Sequence, residues 1–306
     1  MRNKATKKQI PVVNIRKLTV SLLVLCLTVI SLTLVTNSSK NSASAKSKPT
    51  TIKTPTAKKS TYNPYQKPLE DTVNNFGNKH SKNTGLYVAD LSHNTKATFN
   101  DSRQFVSASL YKLFVGYLTL SAIDNNTIKY EDTVPDMNET VDFCLDVMIT
   151  VSDNDCGMAL GKLLGWENID NRLKAEGYTK TVLDNYNSAG EITSDKLTTA
   201  KDVGTLLENL YYGKLLTKES TDHFMSLLEK QTLNYALPTG LDEDISFAHK
   251  TGLLSSVSHD AGFLKYKDQT LIAVMMTDGW ENADAESIDE FSEFGRAMSL
   301  YMKTPH

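Results

Sequence analysis

Two hydrophobic periods divide this chain. Short apolar runs at GLYVADL (85–91) and KATFN (96–100) flank a Ser-His-Asn-Thr break, which predicts a β-hairpin. From about residue 105 to 230 the period becomes helical. Leu110, Leu113, Phe114, Tyr117 and Leu118 share one helix face, in a run that starts at Phe105. Val141, Leu145, Met148 and Ile149 mark a second helix. Leu160, Leu163 and Leu164 mark a third that stops at Gly165, and Trp166 to Lys174 a fourth that stops before Gly177. Residues 181–197 are polar and aperiodic and read as a surface loop. Helical spacing resumes at Leu206, Leu207, Leu210 and Tyr211, then at Phe224, Leu227 and Leu228. Strands return after Leu241 as ISFAHKTGLL (245–254), AGFLKY (261–266) and LIAVMMT (271–277), the last two joined as a hairpin through KDQT. One helix face (Leu69, Val73, Phe76) opens this region, and another (Ile288, Phe291, Phe294, Met298, Tyr301) closes it.

Strands at both ends and helices between imply an α+β fold. The strands near 85–100 and 245–277 are expected to share one antiparallel sheet, with the first and last helices on one face. A helical lobe of about residues 101–240 is inserted between strands. A cleft between two such parts is a common place for a site.

Before Pro68 the pattern differs. Residues 1–17 carry Arg2, Lys4, Lys7, Lys8, Arg16 and Lys17, and Thr19 to Val35 is uncharged. That run is just long enough to span a bilayer and long for a cleavable signal. The one small-residue cleavage pattern, Ala43-Ser44-Ala45, lies well past it, so an uncleaved anchor is favoured over a secreted product. The basic flank predicts a cytoplasmic N-terminus and an extracytoplasmic domain. Residues 36–67 are mostly Ser, Thr, Lys, Asn and Pro, with little apolar content, and read as a disordered stalk. The expected organisation is therefore 1–35 signal or anchor, 36–67 stalk and 68–306 catalytic domain.

Charge sharpens this division. Residues 1–69 hold 13 Lys/Arg and no Asp/Glu, leaving 20 basic and 36 acidic residues, a net of −16, for the remainder. An acidic domain is a poor match for nucleic acid, and the basic lead fits a topology signal. The six histidines show no zinc-ligand spacing and no Gly-rich phosphate loop is present, so neither metal nor cofactor is expected. Nothing implies a second subunit, and a monomer is expected. Cys26 falls in the apolar run. Cys144 and Cys156 are 12 apart, and in an exported chain they form one disulfide or remain buried thiols; the sequence leaves both open.

Three triplets carry the candidate chemistry. Ser109 and Lys112, in SLYK, lie one helical turn apart, so hydroxyl and amine share a face. A serine needs a base to act as a nucleophile, and a lysine serves if its pKa is lowered. Ser152-Asp153-Asn154 breaks two helices, and alone reads as a helix N-cap. Lys250-Thr251-Gly252 lies in a strand, where Lys250 alone reads as an edge charge that discourages aggregation.

Taken together and in this order, Ser-x-x-Lys, Ser-Asp-Asn and Lys-Thr-Gly resemble the motif set of class A β-lactamases and penicillin-binding proteins. The resemblance covers roughly residues 68–306. GLYVADL resembles the first core strand, FVSASLYK the nucleophile segment, MITVSDND the second motif, and AHKTGLL with HDAGFLKY the third-motif hairpin. It implies an acylated nucleophile at Ser109, a base or proton relay at Lys112, and proton transfer to the leaving nitrogen by Ser152. Asn154 would hold the substrate amide, Lys250 and Thr251 its carboxylate, and Gly252 would allow close approach. The backbone N–H groups of Ser109 and Leu253 would form the oxyanion hole, each such donor being worth about 3–4 kcal/mol in acyl transfer. Two lysines converging on one site are expected to depress each other's pKa.

One departure matters. The glutamate that holds the deacylating water in class A enzymes would fall at about Asn187, and Glu191 is out of register and reads as solvated surface. An Asn187→Glu change is expected to speed adduct loss if the loop can place the carboxylate. The resemblance thus implies a β-lactam-opening serine hydrolase with slow release. The alternatives are a cell-wall DD-peptidase-like enzyme acting on D-Ala-D-Ala peptides, and a membrane-tethered sensor domain without catalysis. His249 and His259 flank the third motif and read as structural hydrogen-bonding groups or site-lining residues.

Overall fold

Strands β1 (Thr84–Asp90), β2 (Thr95–Phe99), β5 (Ser246–Leu254), β6 (Val257–Tyr266) and β7 (Gln269–Asp278) form one antiparallel sheet in the computed structural model, in the order β2-β1-β7-β6-β5. The structure describes residues 62–80, 83–187 and 189–306. The basic segment, the apolar run and most of the expected stalk lie outside the described residues. Residues 62–67 enter the fold instead of the stalk. Asn63 Nδ2 donates to His93 O at 2.8 Å, the Tyr65 ring stacks on His93 at 3.4 Å, and α1 (Gln66–Lys79) starts two residues ahead of Pro68.

The sheet is covered on both faces, which is why its strands read as nearly continuous apolar runs. On one face Leu86, Val88, Leu264, Ala273 and Met275 pack against α1 and α9 (Ile288–Lys303) through Leu69, Val73, Phe76, Phe291, Phe294 and Met298. A short helix, α8 (Ala283–Glu286), precedes α9. The opposite face presents Tyr87, Ala89, Ala261, Phe263, Ile272 and Val274 to the helical lobe. That lobe holds α2 (Tyr111–Asp124), α3 (Val141–Thr150), α4 (Asn154–Leu164), α5 (Trp166–Ala175), α6 (Ala200–Tyr211) and α7 (Lys218–Glu229). Every residue of α2 from Tyr111 to Ser121 is buried, so it is the axis of the lobe rather than a surface amphipath.

Two local expectations change. The run beginning at Phe105 does not start as helix. Residues 104–106 form β3 (Gln104–Val106), which pairs with β4 (Leu197–Thr199), and a one-turn 3-10 helix at Ala108–Leu110 then leads into α2. Residues 181–197 are not simply a surface loop. Thr181, Leu183 and Asn185 are buried, and Val182 and Leu197 bridge each other. Their inward turn is held by Asp170 of α5, which accepts from the N–H groups of Leu183 (2.7 Å) and Asp184 (3.0 Å).

Candidate active site

Ser109 lies in the 3-10 turn ahead of α2, directly after Ala108, whose φ is +43°. A left-handed alanine costs roughly 1–2 kcal/mol, so its surroundings must hold the turn. Leu110 N donates to Ser107 O at 3.0 Å and Ser107 N donates to Lys196 O at 2.7 Å. From the sheet side His259 Nε2 reaches Val106 O at 2.7 Å, while Thr277 N donates to His259 Nδ1 at 3.2 Å. Burial holds the His259 pKa down to about 4, against its contacts to Val106 O and to Ser258 O, the latter 2.6 Å from Nδ1.

Lys112 is fully buried one turn after Ser109. Its Nζ donates to Ser152 O at 2.6 Å, to Asn154 Oδ1 at 2.8 Å and to Ser152 Oγ at 3.2 Å. Burial lowers its pKa to about 8, against the opposing pull of the Asp153 carboxylate. The approach of α4 depends on Gly157, where a Cβ would stand 2.7 Å from the Tyr111 hydroxyl and 3.0 Å from Lys112 Cε.

Ser152, Asp153 and Asn154 form the break between α3 and α4. The N-cap reading of Asp153 is correct: its Oδ1 accepts from Cys156 N at 2.8 Å. Asp153 N donates to Val147 O at 3.0 Å, and Ser152 takes a left-handed φ of +62°. A Cys144–Cys156 disulfide joins α3 to α4 across this break, which resolves the open cysteine question.

Lys250, Thr251 and Gly252 lie in β5, which is an edge strand. Lys250 is nevertheless fully buried, because β5 packs against the turn carrying Ser109. Its Nζ donates to Ser152 Oγ and to Thr251 O, both at 2.9 Å. Burial, then the Lys112 ammonium, lowers the Lys250 pKa to about 7, and the Asp260 carboxylate opposes this. The mutual depression expected of the two lysines therefore acts on Lys250, whereas Lys112 is lowered by burial. A Cβ on Gly252 would stand 3.2 Å from both Ser109 N and Ala108 Cβ, so any side chain here would push strand and turn apart by a few tenths of an ångström. Leu253, next in β5, is half-buried. Thr251 Oγ1 is buried and, among the described residues, meets no partner in hydrogen-bonding geometry, although it is close enough to Tyr235 to oppose the rise that burial gives that phenol's pKa.

Asn187 is exposed, and its side chain is committed to its own turn. Oδ1 accepts from Ala189 N (2.9 Å) and Glu191 N (3.0 Å), and Nδ2 donates to Glu191 Oε2 (2.9 Å). The inner side of this loop holds Lys196. Its ammonium lies 3.5 Å over the Trp166 ring, donates to Asn185 Oδ1 at 2.8 Å and also reaches Leu183 O. Burial lowers its pKa to about 8 against Asp170 and Asp184. Sequence reasoning passed over Lys196 because its partner Trp166 lies 30 residues away, with no local pattern joining them. His249 and His259 are both buried; His249 Nδ1 lies 2.7 Å from Asp260 Oδ1.

The result is a hydroxyl, Ser152 Oγ, shared by two amines of lowered pKa, one of them a helical turn from Ser109. This arrangement can take a proton from one oxygen and deliver it elsewhere. Lys250 and the orphan Thr251 hydroxyl offer a charge and a hydrogen bond to a carboxylate. Among the described residues no three His, Cys, Asp or Glu side chains group to hold a metal.

A family model described as the beta-lactamase enzyme family matches residues 68–301. No curated protein matches the chain. Among solved structures, PBP-A is similar at 20% identity and TM-score 0.70, over 78% of this chain and 98% of that one. A point mutant of PBP-A, solved as its acyl-enzyme complex with penicillin G, aligns at 20% identity and TM-score 0.69, over 78% and 97%. A beta-lactamase from Chitinophaga pinensis DSM 2588 aligns at 17% identity and TM-score 0.68, over 77% and 99%.

Proposed function

Because the chain belongs to the beta-lactamase enzyme family, we propose that it is a serine acyl-transfer hydrolase that opens β-lactam amides through an acyl-Ser109 intermediate. The observation that carries this reading is the convergence of Lys112 and Lys250 on Ser152 Oγ, from three separate parts of the fold. Neutral Lys112 takes the Ser109 proton as Oγ attacks the amide carbonyl. The tetrahedral oxyanion is held by the N–H groups of Ser109 and Leu253. Ser152 passes the proton to the amide nitrogen, the C–N bond breaks and an ester to Ser109 remains. Water then cleaves that ester. Asn154 orients the acyl amide, and Lys250 with Thr251 binds the carboxylate; the unpartnered Thr251 hydroxyl supports that role.

Among the described residues the second half-reaction has no evident base. The commitment of the Asn187 side chain to its own turn supports slow release. It also favours the second reading, a DD-peptidase-like penicillin-binding protein acting on D-Ala-D-Ala ends. On sequence grounds we place this domain outside the membrane, tethered through residues 19–35.

Intact-mass measurement after penicillin tests the acyl-enzyme. Wild type is expected to gain one penicillin and Ser109→Ala none; an unmodified wild type refutes both enzymatic readings. Steady-state turnover of a chromogenic cephalosporin separates the two, since sustained hydrolysis after the burst favours the lactamase and a burst alone the penicillin-binding protein.

A further inference from the structure

Two buried titratable side chains, His249 and Asp260, have no part in the acyl-transfer steps. They meet across neighbouring strands, His249 Nδ1 lying 2.7 Å from Asp260 Oδ1. The Phe247 ring stacks on His249 at 4.4 Å. Each member of the pair also reaches the segment that precedes β5. Asn234 Oδ1 lies 3.1 Å from His249 Nε2, and Leu237 N donates to Asp260 Oδ2 at 3.1 Å. The segment is therefore pinned on both sides of Tyr235.

The two pins flank Thr251. His249 stands two residues before it on the same face of β5, and Asp260 is its partner across the ladder in β6. Tyr235 is thereby set beside Thr251, near enough for the threonine hydroxyl to act on the phenol's pKa. The Tyr235 ring is half-buried and packs against the core that the sheet shares with α1 and α9.

Chemistry says what this hydroxyl serves. Burial, with the Asp260 and Asp284 carboxylates adding to it, pushes the Tyr235 phenol up to about 12, so it keeps its proton and donates. Asp260 has both oxygens committed, to His249 and to Leu237 N. Thr251 Oγ1 is buried and unpartnered among the described residues, a cost that a ligand oxygen relieves. A substrate carboxylate offers two oxygens with about four lone-pair sites, more than Lys250 and Thr251 fill. We propose that Tyr235 is a further substrate-binding residue, its hydroxyl donating to the carboxylate beside Lys250 and Thr251 and so selecting acids over neutral esters. This rests on the acyl-Ser109 reading and adds a residue to its carboxylate end.

The test compares benzylpenicillin with its methyl ester on wild type and Tyr235→Phe, a variant that keeps the ring and its packing. Labelling of Ser109 in the full chain is followed by intact mass over a range of concentrations, which separates the half-saturating concentration from the limiting rate. For the acid, Tyr235→Phe is expected to raise the half-saturating concentration about tenfold, as for one hydrogen bond to a charged group, and to leave the limiting rate unchanged. For the ester, variant and wild type are expected to label alike. An unchanged half-saturating concentration for the acid overturns the proposal. An equal loss for acid and ester also overturns it, because a merely structural role gives that result. If the acid leaves Ser109 of wild type unlabelled, the acyl-enzyme reading itself fails.

Discussion

Ser152 Oγ accepts from two buried amines, Lys112 at 3.2 Å and Lys250 at 2.9 Å, and its neighbourhood sets the pH behaviour of the site. Acylation needs Lys112 neutral, so the rate rises as pH passes its pKa of about 8. Carboxylate binding needs Lys250 charged, so it falls as pH passes about 7. The expected kcat/KM profile is a narrow bell centred between these values, near pH 7.5. A bound carboxylate raises the Lys250 pKa. The alkaline limb should therefore move upward in kcat, and stopped-flow acylation rates across pH check both shapes. At Asn187 the residue scale reverses a simple expectation. Because the side chain already caps its own turn, Asn187→Glu is expected to leave the penicillin adduct's lifetime unchanged and to lose about 1 kcal/mol of stability with the turn's hydrogen bonds. Adduct decay by mass spectrometry and a denaturant titration measure the two effects separately.

Between residue and fold stand the short connectors that aim the side chains. The turn at Ala108 and the break at Ser152 both contain left-handed non-glycine residues, and each is clamped from outside. The first is held by His259 and by the Lys196 carbonyl, the second by the Asp153 cap and the Cys144–Cys156 bridge. Removing the bridge in Cys144→Ser/Cys156→Ser is expected to cost about 3 kcal/mol of stability, as for a loop of this size. Acylation should slow as Ser152 and Asn154 lose their fixed positions. Denaturant midpoints and the rate of Ser109 labelling, taken at a temperature where the variant is folded, check both parts. Strand β6 shows why such connectors escape a sequence reading. Ser258, His259 and Asp260 are polar yet buried, so the strand reaches back to Val257 and not to Ala261, where the apolar run starts.

For the whole molecule, the same lysines oppose folding. Both have pKa values in the native state well below 10.5, at about 8 and about 7, so burial penalises their charged forms. Between pH 7 and 10 the unfolded chain therefore binds more protons than the native one, and stability rises with pH over that window. The penalty is complete below the native values and is relieved as pH climbs through them. Urea unfolding at a series of pH values is expected to show this rise, and Lys250→Met to make it shallower, with the share of Lys112 and Lys196 remaining. The arrangement that imposes this cost also makes the cleft: α2 and the α3–α4 break come from the helical lobe, β5 from the sheet edge, and the three meet over Ser152.

The sequence by itself determined the layered plan and the candidates. Period-two runs marked the strands, period-3.6 faces marked the helices, and the three triplets named Ser109, Lys112, Ser152, Asn154, Lys250 and Thr251. Those signals are local, because side-chain periodicity records which face of an element is buried. Tertiary structure alone decided what depends on distant partners. Lys250 on an edge strand is buried because the Ser109 turn and α7 pack against that strand, and Lys196 finds its ring on α5. Cys144 meets Cys156 only once α3 and α4 pack, and Asn187 is turned into its own loop by contacts to Ala189 and Glu191. Burial and long-range contact set pKa values and side-chain direction, and neither is written in the spacing of residues along a chain.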